Sequence, residues 1–287
     1  MKLSNPTEIK ALLERHGFEF QKKFGQNFLI NEAIPQKIAN ASLPYDASEC
    51  ACLEIGPGIG VMTVELSKLY KKVCAVEIDK NLLPLLDETL DGVDNVEIIN
   101  SDVLKLDIAS VAKERFGNMP CVVCANLPYY ITTPVLMHLL ESRFPFDNIT
   151  VMVQKEVADR ICSPAGSDGY GAITAAISYY AKPKKLFNVA AGNFIPRPDV
   201  TSAVLRLDLH KTPPVCVEDE EMLFKVIRGA FARRRKTLLN SMPGEFPELS
   251  KEKLQHAFYM CGLKGSERGE TLDLDTFANI ANAICKI

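Results

Sequence analysis

At 287 residues, with 47% hydrophobic and 24% charged side chains, the chain has enough apolar content for one large domain, or a large domain with a small companion. A formal net charge of −3 and a pI near 5.9 argue against a general nucleic-acid coat, so any polyanion must be met by a local patch. Nine cysteines, an odd number sitting mostly in apolar runs, read as buried thiols of a reducing cytoplasm. Cys121 and Cys124 have zinc-like spacing, but on a strand i and i+3 point to opposite faces, and no metal site is expected. Glu8, Glu14 and Glu19 without a long apolar stretch indicate neither a signal nor a transit peptide, and no run reaches membrane-spanning length. The expectation is a cytoplasmic protein with no membrane partner.

In chain order, a short helix is expected over 7–16, followed by a basic, flexible arm ending Lys22-Lys23-Phe24-Gly25. From 51 onward, apolar strands over 50–55, 73–78, 96–100, 121–124 and 149–153 alternate with helical spacing over 61–69, 81–90, 109–116, 134–141 and 155–161. That alternation predicts a doubly wound, parallel α/β sheet. Ser163 to Gly169 reads as a loop, 173–180 as a helix, and 186–189 and 204–209 as strands. Beyond Thr212-Pro213-Pro214 only helices are expected, over 220–242, 251–261 and 274–285. The chain thus divides into an N-terminal helix and arm (1–25), a sheet domain (26–212) and a small all-helical domain (213–287).

Gly56-Pro57-Gly58-Ile59-Gly60 lies between a strand and a helix, where a nucleotide-binding turn belongs. Glu77 ends the next strand, 17 residues past Gly60, where an acid can take both hydroxyls of a ribose. Pro57 removes an N–H that a pyrophosphate would want. Glu54 adds a carboxylate that repels phosphate but suits an ammonium or sulfonium cation. These features favour S-adenosyl-L-methionine over a dinucleotide. Asp102, just past the third strand, is placed either to hydrogen-bond the adenine of that cofactor or simply to cap a turn.

The stretch Asn126-Leu127-Pro128-Tyr129 ends the fourth strand beside the same crevice. A nucleobase amine is a poor nucleophile because its lone pair is delocalised into the ring. Two acceptors aimed at its N–H bonds, the Asn126 side-chain oxygen and a backbone carbonyl near Leu127, favour the pyramidal form that can attack a methyl group. Pro128 stiffens that backbone and Tyr129 offers a stacking face to a flipped base. No general base is required, since the alkylated amine is a strong acid. Taken alone, the same tetrapeptide is equally a stiffened turn with Tyr129 in the core.

Asn126-Leu127-Pro128-Tyr129 resembles the signature of the methyltransferases that dimethylate adenosine in ribosomal RNA. So do 23–29, 53–58, 77–79, 154–157 and Phe194-Ile-Pro-Arg-Pro-Asp-Val-Thr-Ser202, which together span nearly the whole chain. The resemblance implies a Rossmann-like, mostly parallel, seven-stranded methyltransferase sheet. It implies that Asn27 and Leu29 touch the cofactor with Gly56, Glu77, Asp102 and Asn126, and that Phe194 holds the target base opposite Tyr129. Tyr130 departs from the Asn that many members carry there and is expected only to reshape the rim. Residues 222–240 carry six basic side chains and no acid, among them Arg233, Arg234, Arg235 and Lys236, and 182–211 add a further +4; RNA is the expected partner of these charges. The family branch implied is the one acting on two adjacent adenosines in the 3′-terminal hairpin of 16S rRNA, in an assembling small ribosomal subunit, with the protein a monomer. The alternatives are a 23S rRNA adenine dimethylase of the antibiotic-resistance type and a non-catalytic assembly or transcription factor on the same fold. A dehydrogenase is disfavoured by Pro57 and by Asn126 to Tyr129.

Overall fold

The computed structural model describes residues 3, 5–21, 24–44, 49–233 and 235–287; Lys22-Lys23 and Arg234 lie outside them. Chain contacts define two units, Met1–Ala158 with Lys184–Leu209, and Asp159–Pro183 with His210–Ile287.

The first unit begins with α1 (Pro6–Arg15), capped by the Asn5 side chain with proline in its first turn. A two-residue strand β1 (Phe28–Leu29) and α2 (Ala33–Ala41) follow. The alternation then runs β2 (Ala51–Ile55), α3 (Val61–Leu69), β3 (Lys72–Glu77), α4 (Leu83–Thr89), β4 (Val96–Asn100), α5 (Ile108–Phe116), β5 (Cys121–Asn126), α6 (Thr132–Glu141), β6 (Asn148–Gln154) and α7 (Lys155–Ile161). After α8 (Ala172–Tyr180) come β7 (Ala181–Val189), β8 (Phe194–Ile195) and β9 (Ser202–Leu209). The seven-stranded sheet has the order β4-β3-β2-β5-β6-β9-β7. Pairings from β4 through β6 are parallel, and β9 joins β6 antiparallel, with Gln154 opposite Ser202. Every residue of β2 is buried, which is why these central strands read as continuous apolar runs and not as alternating ones.

The expected alternation is present to within a few residues at each end. Three elements were not expected: α2, and the short strands β1 and β8, which pair antiparallel as Phe28–Ile195 and Leu29–Phe194. Two residues carry too little periodicity to announce a strand. The N-terminal segment is also packed and not a free arm. Ile9, Leu12 and Leu13 join a buried cluster with Ile59, Leu82 and Leu85. The rings of Phe18, Phe20 and Phe28 meet at centroid distances of 5.3–6.2 Å.

The second unit is helical: α8, α9 (Glu220–Phe231), α10 (Leu238–Ser241), α11 (Lys251–Met260) and α12 (Leu274–Ile284). Its composition differs from the expected boundary at 213, because 159–183 belongs here and not with the sheet. The reason is aromatic packing. Phe224 of α9 stacks on Tyr180 at 5.4 Å and meets Tyr179 edge-on at 5.5 Å, and the Tyr179 hydroxyl donates to Glu220. The single helix expected over 220–242 is broken after Phe231. Ser241 explains the break: its hydroxyl donates to the Gly229 carbonyl and accepts the Arg233 N–H, replacing the next helical bonds.

Phe28→Ala tests the packing of the N-terminal segment. It should lower unfolding free energy by about 3 kcal/mol, the usual loss for a buried Phe, as measured by chemical denaturation. A change within ~0.5 kcal/mol would mean that the aromatic cluster contributes nothing.

Candidate active site

The strand order reverses between β2 and β5, and the loops leaving β2, β3, β4 and β5 there open onto one cleft. It encloses about 1060 Å³ of atom-free space, counting the part open to solvent. Asn27, Leu29, Gly56, Glu77, Asp102 and Asn126 all line it. Leu127, Pro128, Tyr129 and Phe194 line it as well.

The glycine loop decides what kind of ligand fits. Gly56, Gly58 and Gly60 all have positive φ, which a side chain would resist. A Cβ at Gly58 would lie 3.1 Å from the Phe28 ring. Three of the loop's donors are already committed: Gly56 N–H to the Val76 carbonyl, Gly60 N–H to the Pro57 carbonyl, and Gly58 N–H to the Glu77 carboxylate at 3.2 Å. Pro57 has none. With three loop donors taken and none on Pro57, the loop is a poor nest for a pyrophosphate, which disfavours the dehydrogenase alternative.

The electrostatics agree. Among the described residues lining the cleft none is Lys or Arg, whereas Glu54, Glu77 and Asp102 are acidic. Glu77 is 4% exposed and accepts N–H bonds from Gly58 and Asp79. Burial pushes its carboxyl up to about 7 against the pull of those bonds. Glu54 is fully buried, and neither of its oxygens has a hydrogen-bond partner among the described residues. Burial pushes it up to about 8; the nearby Thr63 hydroxyl opposes the shift without a hydrogen bond of its own, and the Glu77 charge adds to it. Asp102 lines the cleft and also caps the turn after β4, one oxygen accepting the Leu104 N–H at 3.1 Å. The cap is thus present, and it leaves the residue at the wall of the cleft. Ile78, 45% exposed, lines the cleft beside Glu77 and offers an apolar face. Sequence reading passed over it, although strand alternation turns it away from its acidic neighbour.

At the end of β5, Asn126 Nδ2 donates to the Asn27 carbonyl at 3.1 Å, which turns Oδ1 into the free end of the amide. The Pro128 carbonyl is taken by the Ile131 N–H and the Thr132 hydroxyl, whereas the Leu127 carbonyl has no partner among the described residues. Two acceptors are thus open side by side along the chain. Tyr129 is half-buried, and its hydroxyl is tied to Ser202 Oγ at 2.7 Å; Ser202 itself is fully buried. Phe194 reaches the cleft but is only 4% exposed, with most of its ring in the core beside Leu29. Tyr130, 58% exposed, stands at the rim over Gly25.

In the helical unit, Arg233, Arg235 and Lys236 are exposed on the turn after α9 and have no ion pair among the described residues. They lie on a loop, not on the helical face expected. Two other cations of that run are not free, since Lys225 pairs with Glu248 at 2.6 Å and Arg228 lies 3.8 Å from Glu245. In the first unit Arg206 is structural, bonded to Asp208 and to the Ala41 and Leu43 carbonyls.

A cleft that turns phosphate away, favours a cation and ends in two open acceptors belongs to the methyltransferases and not to the dehydrogenases built on a similar sheet. The ribosomal RNA adenine dimethylase family matches residues 17–286, and the chain belongs to that family. It is 50% identical to the ribosomal RNA small subunit methyltransferase A of Lachnoclostridium phytofermentans, over 98% of this chain and 97% of that one. A dimethyladenosine transferase from Plasmodium falciparum is 25% identical with a TM-score of 0.71, covering 88% of this chain and 95% of that one. A 23S rRNA methyltransferase, 22% identical, shares the fold with a TM-score of 0.67 over 90% of this chain and 99% of that one.

Two measurements follow from this geometry. Ser202→Ala and Tyr129→Phe should each lower kcat/KM about fivefold, and the double variant should be no worse than either single, because both break the same bond. Strictly multiplicative losses would show that the bond does not position the ring. Separately, Glu54 and Glu77 have folded values above the ordinary carboxylate range, so the folded state holds extra protons between about 4.5 and 8. Their contribution is complete below the lower limit and is lost as pH rises through about 7 and then about 8. The ligand-free melting temperature should therefore fall from pH 5 to pH 8.5, and Glu54→Gln should flatten the decline. A flat profile for the parent protein would contradict the burial argument.

Proposed function

We propose that the protein transfers methyl groups from S-adenosyl-L-methionine to N6 of two adjacent adenosines in the 3′-terminal hairpin of 16S rRNA. It acts as a cytoplasmic monomer on an assembling small ribosomal subunit. The observation that carries this reading is the amide of Asn126, pinned through Nδ2 so that Oδ1 joins the Leu127 carbonyl as an open acceptor.

Asn27, Leu29, Gly56, Glu77, Asp102 and Asn126 hold the cofactor, and Glu77 suits its ribose because its carboxylate is held in place by two backbone N–H groups. When bound, the cofactor supplies a methyl group on a sulfonium centre. The two acceptors take the N–H bonds of the adenine amine and so localise its lone pair, an interaction that strengthens as the nitrogen pyramidalises. Tyr129 lies against one face of the base, its ring held by Ser202, and Phe194 closes the other. Stacking is indifferent to whether the amine carries zero or one methyl, so a single site serves both transfers. After the first transfer one N–H remains and one acceptor suffices. The alkylated amine loses its proton to water without a protein base. Arg233, Arg235 and Lys236, with Arg234 between them in sequence, supply phosphate contacts.

Methyl transfer to purified, under-methylated small subunits should be efficient, with two methyls per adenosine, and transfer to naked 23S rRNA should be negligible. The opposite preference would make the protein a large-subunit enzyme, and no transfer to either would favour a binding factor. Asn126→Ala should weaken cofactor binding only severalfold, since five other residues hold it, but at saturating cofactor lose at least about 100-fold in kcat, ~3 kcal/mol of transition-state stabilisation. A loss confined to substrate KM would make Asn126 a positioning residue only.

A further inference from the structure

Glu54 is the one lining carboxylate whose oxygens both lack a hydrogen-bond partner among the described residues, and it is fully buried. An ionised carboxylate taken out of water without partners is strongly disfavoured, so an unrelieved charge does not persist there. Its surroundings offer no relief. On its own strand Cys52 lies two residues away, and on β5 its register partner is Cys124; both thiols are themselves held protonated by burial. On β3 stands Glu77, with the negative charge of Asp79 behind it. The helix α3 contributes only the Thr63 hydroxyl, likewise without a hydrogen-bond partner among the described residues. The N-terminal segment contributes Gln26 and Asn27, both neutral.

Resting on the reading of the cleft as an S-adenosylmethionine site, we propose that Glu54 is its proton-linked counter-ion. It holds a proton while the cleft is empty and releases it to solvent when a positively charged ligand enters. The ionised carboxylate is then stabilised by the ligand's own charge, which takes the place of the basic side chain the cleft lacks. The O–H bond of the carboxyl breaks, the proton leaves as hydronium or on buffer, and the charge within the cleft stays balanced. Entry of a neutral ligand provides no such stabilisation and leaves the proton on Glu54. The site thereby reads ligand charge and not shape alone. Glu77 also gives up a proton on binding a ribose, but it does so for charged and neutral nucleosides alike.

Calorimetry tests this with S-adenosylmethionine as the charged probe and adenosine as the neutral one. Titrations at pH 7 in two buffers of different ionisation heat count the protons released. The parent protein should release close to one proton more than Glu54→Gln with S-adenosylmethionine, and the same number as Glu54→Gln with adenosine. Its affinity for S-adenosylmethionine should rise about tenfold more per pH unit than that of Glu54→Gln below about pH 8. Equal proton counts in the two proteins overturn the proposal. So does an equal excess with adenosine, which would mean that Glu54 responds to occupancy and not to charge. Glu54→Met, apolar and of similar length, repeats the comparison if the amide variant fails to fold. Failure of the parent protein to bind S-adenosylmethionine at all is a separate outcome, and overturns the cofactor reading on which the proposal stands.

Discussion

The hydrogen bond from Asn126 Nδ2 to the Asn27 carbonyl sets the polarity of the amide that faces the cleft. An amide free to flip would present donors to an amine that is itself a donor, and the site would repel its substrate for half of the time. The bond needs the segment 24–29 to be in place, and several independent contacts hold it there. Gln26 reaches Asp79 at 2.8 Å, Phe28 packs over Gly58, and β1 pairs with β8. Through these contacts the N-terminal segment connects the glycine loop, Asp79 beyond the end of β3, the Asn126 amide and the strand that carries Phe194.

The same economy governs charge. In a dinucleotide site, free loop donors and a helix N-terminus meet an anion. Here the Glu77 carboxylate has taken the Gly58 N–H, which holds the carboxylate at the cleft and removes one donor the loop could offer a phosphate. With Glu54 buried beneath, the field of the cleft favours cations. Exposed positive charge is carried elsewhere in the chain, by Arg233, Arg235 and Lys236 on the turn after α9.

How much of this was readable from sequence depended on the range of the interaction that fixes each feature. Strand β4 and helices α3 and α7 were found to the residue, because their termini are marked locally by turns and apolar periodicity. Gly56, Glu77, Asp102 and Asn126 could be placed at one cleft because each ends or follows a strand whose pattern announces it, whereas Asn27 and Leu29 were legible only through the family resemblance. What escaped were features set by partners distant in the chain. The break after Phe231 depends on Ser241, the placement of 159–183 on Phe224, and the ordering of 18–20 on Phe28. Nothing in a basic run such as 222–240 says which cations a folded neighbour will neutralise; Lys225 and Arg228 find Glu248 and Glu245. Ser202, quoted only as the last letter of a motif, proved to be the residue holding Tyr129.

The pairing of β1 with β8 joins Leu29 to Phe194 across a sequence separation that spans most of the first unit. A chain emerging from the ribosome can form α3 and the parallel pairs of β2, β3 and β5 while its later half is still being made. The N-terminal segment, though synthesised first, has no strand partner until Phe194 and Ile195 have emerged. The β1–β8 pair is thus the latest contact of this segment to become available, whereas its packing on Ile59, Leu82 and Leu85 needs only the first half of the chain. A truncated product ending before β8 lacks the partner strand of β1 and the aromatic wall with it. The wall of the cleft that Phe194 forms is therefore added only after β8 has been made, although the glycine loop and Asn126 lie in the first half of the chain.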